Sequence, residues 1–441
     1  MPREPNLVLG SLSLAENVRR LDQLRAGLEL AMVLCARWVP STPETTAKIQ
    51  LGKALWHLAM AADSVARRRA ELDDAPRPGA APPPAYAAAL AVAADLTSTV
   101  ERLAFLHGDV ASTLLGALDE HRDAARSFGD GVTEWALDPA AVRLRALGAW
   151  YENAGRAPPD ESPAGREARA RLRAAGGPCG WGREHDELKE GPAPAAASAL
   201  QTPAREPGLQ VCDPVGPRPA TFLMFLHSTA FNVEICATEV CAALIAEHPE
   251  APWGLKLDLA RQIYDEVRHA ESLLGRLGEL GGRPGQFPID LRVWRSFRVG
   301  ETLVEKLIVQ HRIGEGGGLD GGALVVRQRR HEGDERTARL FEYINADEIN
   351  HVKAGNLWAS ALLSDDADQL GALEARVRAK LEALGLARPA LPTWVEGRRR
   401  AGFDEDELAS TVRAWRAQDA ARTSAPGGSP ERRRAAMAPR R

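Results

Sequence analysis

The chain has 441 residues, 44% of them apolar and 26% charged, a balance that excludes a largely disordered polypeptide and leaves room for two to three domains. With 56 Lys and Arg against 60 Asp and Glu, the formal charge is −4, so no overall basic field is available to hold nucleic acid. The apolar run from Tyr86 to Val100 is too short for a membrane span and carries Asp95, and Met1-Pro2-Arg3-Glu4 does not begin a basic segment followed by an apolar one; the expectation is a cytoplasmic protein with no membrane partner.

Aromatic residues are scarce while Ala, Leu, Arg and Glu abound, so the expected class is all-α. Residues 1–156 read as an N-terminal helical domain, with breaks at Trp38-Val39-Pro40, from Asp74 to Pro84 and at His107-Gly108. Residues 157–219 are rich in Pro, Ala and Gly and form a linker, with a short helix around Gly165 to Ala175. Within 220–363 four long helices are expected. The first starts after Pro219 and ends near Glu247-His248-Pro249, and the second runs from about Pro252 to Gly281-Gly282. The third runs from about Leu291 into Gly316, Gly317 and Gly318, and the fourth follows Asp334, a residue suited to an N-cap, past Trp358. Two hairpins of this kind make a four-helix bundle. Residues 364–422 read as a C-terminal helical extension and 423–441 as a disordered basic tail. The cysteines, Cys35, Cys179, Cys212, Cys236 and Cys241, are odd in number and show no CxxC spacing, as expected of small buried residues in a reducing compartment.

Two segments carry chemistry: Asp265-Glu266-Val267-Arg268-His269 and Asp347-Glu348-Ile349-Asn350-His351. Each is a Glu-x-x-His pair, and residues three apart share one helix face, so carboxylate and imidazole reach one metal. A bundle that holds two metals also needs one Glu from each remaining helix at the same level. Facing residues of an antiparallel hairpin are equidistant from its turn. Glu234 and Glu266 centre on residue 250, inside the turn Glu247 to Pro252, while Glu315 and Glu348 centre beside His331-Glu332-Gly333-Asp334. Glu305 is the alternative to Glu315, but pairing it with Glu348 puts the turn near Val326, where no turn residue stands. Glu239 is a further ligand or an outer carboxylate, and Asp265 and Asp347 are placed to accept hydrogen bonds from the ligand imidazoles. Near Glu234 stand Ala230, Phe231, Ala237 and Cys241 without Lys or Arg, so a buried carboxylate there calls for a cation. Four carboxylates, two imidazoles and no thiolate suit iron or manganese and argue against a structural zinc site.

These residues resemble the ferritin-like di-iron superfamily over roughly 220–363. More narrowly they resemble the family known as domain of unknown function 455, related in turn to the tRNA hydroxylase MiaE. The resemblance is carried by Glu234-x-x-Ala237 with Glu239, by Glu315-Gly316-Gly317-Gly318-Leu319-Asp320, by Gly333-Asp334 followed by Asp347 to Val352, and by Arg400-Ala401-Gly402-Phe403. Asn232 stands where that family usually carries a His. The resemblance implies a di-iron centre with Glu234, Glu266, His269, Glu315, Glu348 and His351 as ligands. The N-terminal domain reads as a degenerate copy of the same bundle. Trp56 to Leu72 aligns without gaps on Tyr264 to Leu280, with Leu58 and Ala61 at Glu266 and His269, and Gly108-Asp109 matches Gly333-Asp334, placing Asp123 and Arg126 at Glu348 and His351.

The expected function is that of a non-haem di-iron, O2-dependent oxidoreductase, a hydroxylase (monooxygenase) or oxidase acting on an organic substrate that is a small molecule or borne on a carrier or peptide. The expected cofactor is two Fe ions, a manganese–iron pair being a variant with the same ligands. Without a flavin, nicotinamide or iron–sulfur motif, a separate electron donor is expected; nucleic acid is not. The alternatives are a ferroxidase or iron-handling ferritin-like protein, and a non-catalytic helical scaffold in which the Glu and His residues are incidental.

Overall fold

Helix signals at the chain's turns explain where each element starts. Ser13, Ser98, Thr302 and Asp334 each accept a hydrogen bond from the backbone three residues on, satisfying a first-turn N–H that has no partner within its helix. At Thr302 the Glu305 side chain also reaches back, completing a capping box. Gly129 and Gly333 end helices in the left-handed conformation that a side chain disfavours.

The computed structural model describes residues 10–73, 84–153, 161–176, 200, 202–212, 216 and 219–424, and the fold is all-α. Among the described residues the β contact is one isolated parallel bridge, Val211 to Ile289. The helices are α1 (Leu14–Ser41), α2 (Thr45–Leu72), α3 (Pro84–Ala93), α4 (99–128), α5 (Gly131–Asn153), α6 (Pro163–Ala175) and α7 (Phe222–Glu247). They continue with α8 (Trp253–Glu279), α9 (Arg292–Phe297), α10 (303–331), α11 (Glu335–Ala361), α12 (Ala367–Ala383), α13 (Val395–Arg400) and α14 (Glu405–Ser424). Helices α4, α7 and α10 each contain a π-helical segment: Phe105–Val110, Thr229–Glu234 and Ile308–Glu315.

The chain divides into two compact units, Met1–Arg205 with Ile245–Tyr264, and Glu206–Leu244 with Asp265–Arg441. In the first, α1 packs on α2, α2 on α5, α5 on α4 and α4 on α1, which closes a four-helix bundle around leucines such as Leu28, Leu58, Leu114 and Leu144. In the second, α10 packs on α11, and α12–α14 cover their outer side. There Phe403 packs with Leu319, Ile349, Val352 and Leu408, and Val309 with Val377, Leu381 and Leu386. Arg312 and Arg398 both lie over the Phe403 ring, at 5.1 and 5.2 Å, and Arg398 is paired with Asp320. Helix α7 is long and apolar enough to cross a membrane, but 89% of its most apolar stretch is buried inside the fold, as in a core helix. None of Cys35, Cys212, Cys236 and Cys241 is in a disulfide, while Cys179 and residues 425–441 lie outside the described residues. Residues 423 and 424, expected in the tail, are the last of α14.

Two expectations in chain order are corrected. The third helix does not begin near Leu291 and end at the glycines. It begins at Leu303, after the Thr302 cap, and runs through Gly316–Gly318 to His331. Packing overrides helix propensity there: a Cβ on Gly316 would meet Arg398 and Phe403 at 3.3 and 3.5 Å, so the glycine admits the C-terminal layer. Nor is His107-Gly108 a break; it lies within the π segment of α4.

The two units share one internal frame. Arg68 donates to Thr133 (2.9 Å), Asp130 (3.1 Å) and Glu71 (2.8 Å). Arg276 donates to Thr337 (2.8 Å), Asp334 (2.9 Å) and Glu279 (2.9 Å) in the same pattern. The N-caps Ser98 and Thr302, the buried Glu101 and Glu305, the π-segment histidines His107 and His311, and Asp130 and Asp334 are all 204 residues apart. The match of Trp56–Leu72 to Tyr264–Leu280 therefore agrees with this frame. That of Gly108-Asp109 to Gly333-Asp334 does not, because Gly129-Asp130 occupies the equivalent turn. Asp123 and Arg126 are exposed and paired with each other; Leu144 and Leu147 stand where Glu348 and His351 do.

Candidate metal centre

Four helices each deliver part of the site, and all six of its side chains lie in the second unit. Helices α8 and α11 carry Glu266 with His269 and Glu348 with His351 on regular turns, so each pair shares a face. Glu234 and Glu315 are the last residues of the π segments in α7 and α10. A π turn inserts one residue and re-aims those around it, a device common at functional sites.

The six side chains form two groups of potential ligand atoms, each within 4.8 Å: Glu234, Glu266, His269 and Glu348, and Glu266, Glu315, Glu348 and His351. Glu266 and Glu348 belong to both and stand between them. All six are buried except Glu348, which is partly so. His269 Nδ1 lies 3.4 Å from Glu234, 3.5 Å from Glu266 and 3.6 Å from Glu348. His351 Nδ1 lies 3.6 Å from both Glu266 and Glu348. Donors bonded to a common ion at about 2.1 Å, with angles of about 90–120°, lie about 3.0–3.6 Å apart, so this spacing fits ligands around a shared cation. Both Nδ1 atoms, and Oε2 of Glu234, are buried and make no hydrogen bond within the protein. Four carboxylates against two divalent cations also balance in charge. The residues fit a pair of metal ions.

The outer ring nitrogens are fixed crosswise between helices. His269 Nε2 meets Asp347 at 3.2 Å and His351 Nε2 meets Asp265 at 3.4 Å. With Nε2–H donating to a carboxylate, each ring presents the Nδ1 lone pair to the centre. Arg268, on α8, donates to both aspartates. Burial opposes a charged imidazolium, but the surrounding carboxylates outweigh it, Asp347, Glu234 and Glu266 at His269 and Glu348 with Asp265 at His351; both rings are pushed well above the ordinary range in the absence of a cation, and a metal would take the place of the Nδ1 proton. Burial, then the charge of Glu234, lifts Glu266 to about 7 despite the His269 contact, and burial with Glu348 raises Glu315. The Cys241 thiol is pushed up by burial and by the carboxylates of Glu315, Glu266 and Glu348, which disfavours the thiolate a metal would take.

The structure brings Glu315, and not Glu305, to the cluster. Glu305 caps its own helix and pairs with Arg376. Glu239 is buried but belongs to neither group. Two partners were not assigned from sequence: Arg268, visible within Asp-Glu-x-Arg-His, and Gln310, whose Nε2 donates to Glu315 Oε1 at 2.8 Å. In the first unit the equivalent positions hold Leu58, Ala61, Ala111, Leu144 and Leu147, all at most 2% exposed, so the same frame closes over an apolar core.

A family model described as "Protein of unknown function (DUF455)" matches residues 166–409, more than half of the chain. No curated protein and no solved structure matches it.

Proposed function

The chain belongs to the DUF455 family, and from that premise and the geometry above we propose that it is a non-haem di-iron, O2-dependent oxidoreductase of ferritin-like design, oxidising an organic substrate in the cytoplasm with electrons from a separate donor. One observation carries the reading: two groups of buried ligand atoms that share Glu266 and Glu348. An incidental scaffold gives no reason to gather four carboxylates and two imidazoles in two largely buried groups that contain no Lys or Arg.

Glu234 and His269 would hold one iron, Glu315 and His351 the other, with Glu266 and Glu348 between them. When bound, the pair supplies the two electrons that reduce O2 as the substrate is oxidised. The chain's own groups do the rest. Asp347 and Asp265 set the tautomer and aim of His269 and His351, Arg268 ties the two aspartates together, and Gln310 restrains one oxygen of Glu315. Buried apolar residues on the ligand helices, Ala230 and Ala270 among them, help exclude bulk water. A manganese–iron pair would use the same donors.

Metal analysis after anaerobic Fe(II) loading tests this. Two irons per chain are expected, lost in a Glu266→Ala/Glu348→Ala variant that still folds. No bound metal in the wild type, with equal stability of both proteins, overturns the proposal in favour of a scaffold. Fe(II) oxidation with release of ferric product, and no organic turnover, favours iron handling instead.

A further inference from the structure

A cavity of about 1100 Å3 opens in the second unit between α10, α11 and the C-terminal layer. Its apolar wall includes Val309, Ile313, Leu357, Leu386 and Phe403, and its volume lies at the upper end of small-molecule sites. Of the wall's eleven charged residues six pair with one another, Arg312 with Glu374 and Glu407, Arg398 with Asp320 and Arg378 with Glu374, and the other five nearly cancel, two positive against three negative. Such a wall offers no strong net field to an ion but a large apolar surface. Gln310 also lines this cavity, and its amide donates to Glu315 within the ligand cluster. Cavity and cluster thus meet at one residue, held on the π segment that ends in Glu315.

We propose that this cavity receives a neutral, largely apolar organic molecule, and that Gln310 is the positioning residue through which its presence reaches Glu315. The inference rests on the metal-centre reading above. A bound molecule that presses on the Gln310 amide, or offers it an acceptor, competes for the N–H that Glu315 now accepts. Released, the Glu315 carboxylate is free to change how it meets its metal. Binding in the cavity and geometry at the centre are then linked, and each must influence the other.

The test uses the full chain loaded with Co(II), whose visible bands report coordination, and the neutral fluorescent probe N-phenyl-1-naphthylamine. Gly317 lines the cavity, and a Cβ there meets nothing within 4 Å, so Gly317→Phe fills the space without a clash at the backbone. Leu357→Trp repeats the block from the opposite wall. Probe binding is expected in the wild type, at least tenfold weaker in both blocked variants, with a shift of the cobalt bands on binding. In Gln310→Met, which keeps shape but not the donor, the shift should vanish at probe concentrations that saturate the variant's cavity. The same shift in Gln310→Met, probe binding indifferent to both blocks, or two bound cobalt ions whose bands ignore the probe each overturn this inference alone. Failure to take up cobalt overturns the metal reading and this inference with it.

Discussion

Arg268 offers the sharpest test of how the centre is held, because it touches no ligand. Its guanidinium reaches Asp265 at 3.0 Å and also bonds Asp347, and these two aspartates orient the two imidazoles. A charge-assisted hydrogen bond is worth about 1.5–3 kcal/mol when well buried. The Arg268 side chain is 40% exposed, so solvent screening reduces each to about 1 kcal/mol. Removing both in Arg268→Leu should therefore weaken metal binding by about 2 kcal/mol, or about 30-fold, within the range seen for outer partners of metal ligands. Competition titration with a chromogenic chelator at fixed ionic strength measures this. Asp347→Asn should cost a similar factor, and the double variant clearly less than the product, since both break one network. Affinity within twofold of wild type in Arg268→Leu, or full additivity with Asp347→Asn, would refute the argument that the histidines are aimed through this clamp.

Three other predictions follow from packing and burial. Gly355→Ala should destabilise by about 1–3 kcal/mol, because its Cβ would lie 2.1 Å from the Cβ of the buried His311, whereas Gly275→Ala, on the exposed side of α8 with nothing within 4 Å of its Cβ, should gain up to about 1 kcal/mol of helix propensity; urea unfolding separates the two signs. Burial lowers His121 to about 4, so between that value and about 6.5 the unfolded chain binds the extra proton and stability falls as pH falls, by about 2 kcal/mol from pH 7 to 5; His121→Leu should flatten that slope, and an unchanged slope counts against it. In metal-free protein at pH 8, above the Glu266 titration near 7, Glu266→Leu should be neutral or stabilising by about 1–2 kcal/mol, while Leu58→Glu should lose about 3 kcal/mol or more; calorimetry showing equal losses would contradict the assignment of the two cores.

The clustering of the six side chains was legible because hairpin geometry is simple. Equal distances from the turns at residues 248–252 and 332–334 were enough to bring Glu234 to Glu266 and Glu315 to Glu348, despite a π segment in each of α7 and α10. Those π segments, and the path of α10 through three glycines, were not legible, since both depend on what packs against the helix. The register of the repeat failed for a related reason. Gly-Asp occurs at 108–109 and again at 129–130, and only the Arg68 hydrogen bonds to Asp130 and Thr133 show which one is the turn. Arg268 and Gln310 are likewise ordinary helix residues until their partners on another turn or helix are known.

The duplicated frame separates the needs of folding from those of chemistry. Both units keep the Arg–Asp–Thr turn clamp, the capped third helix and the π-segment histidine, so these belong to the architecture. They differ at the positions of Glu266, His269, Glu315, Glu348 and His351, where the first unit has leucine and alanine and buries them almost fully. An apolar core suffices for such a bundle, and it avoids the cost of burying ionisable groups. Retaining six of them together in the second unit works against its own metal-free stability. The first unit shows the cheaper solution within the same chain, so the persistence of the costly one is best explained by what those residues bind.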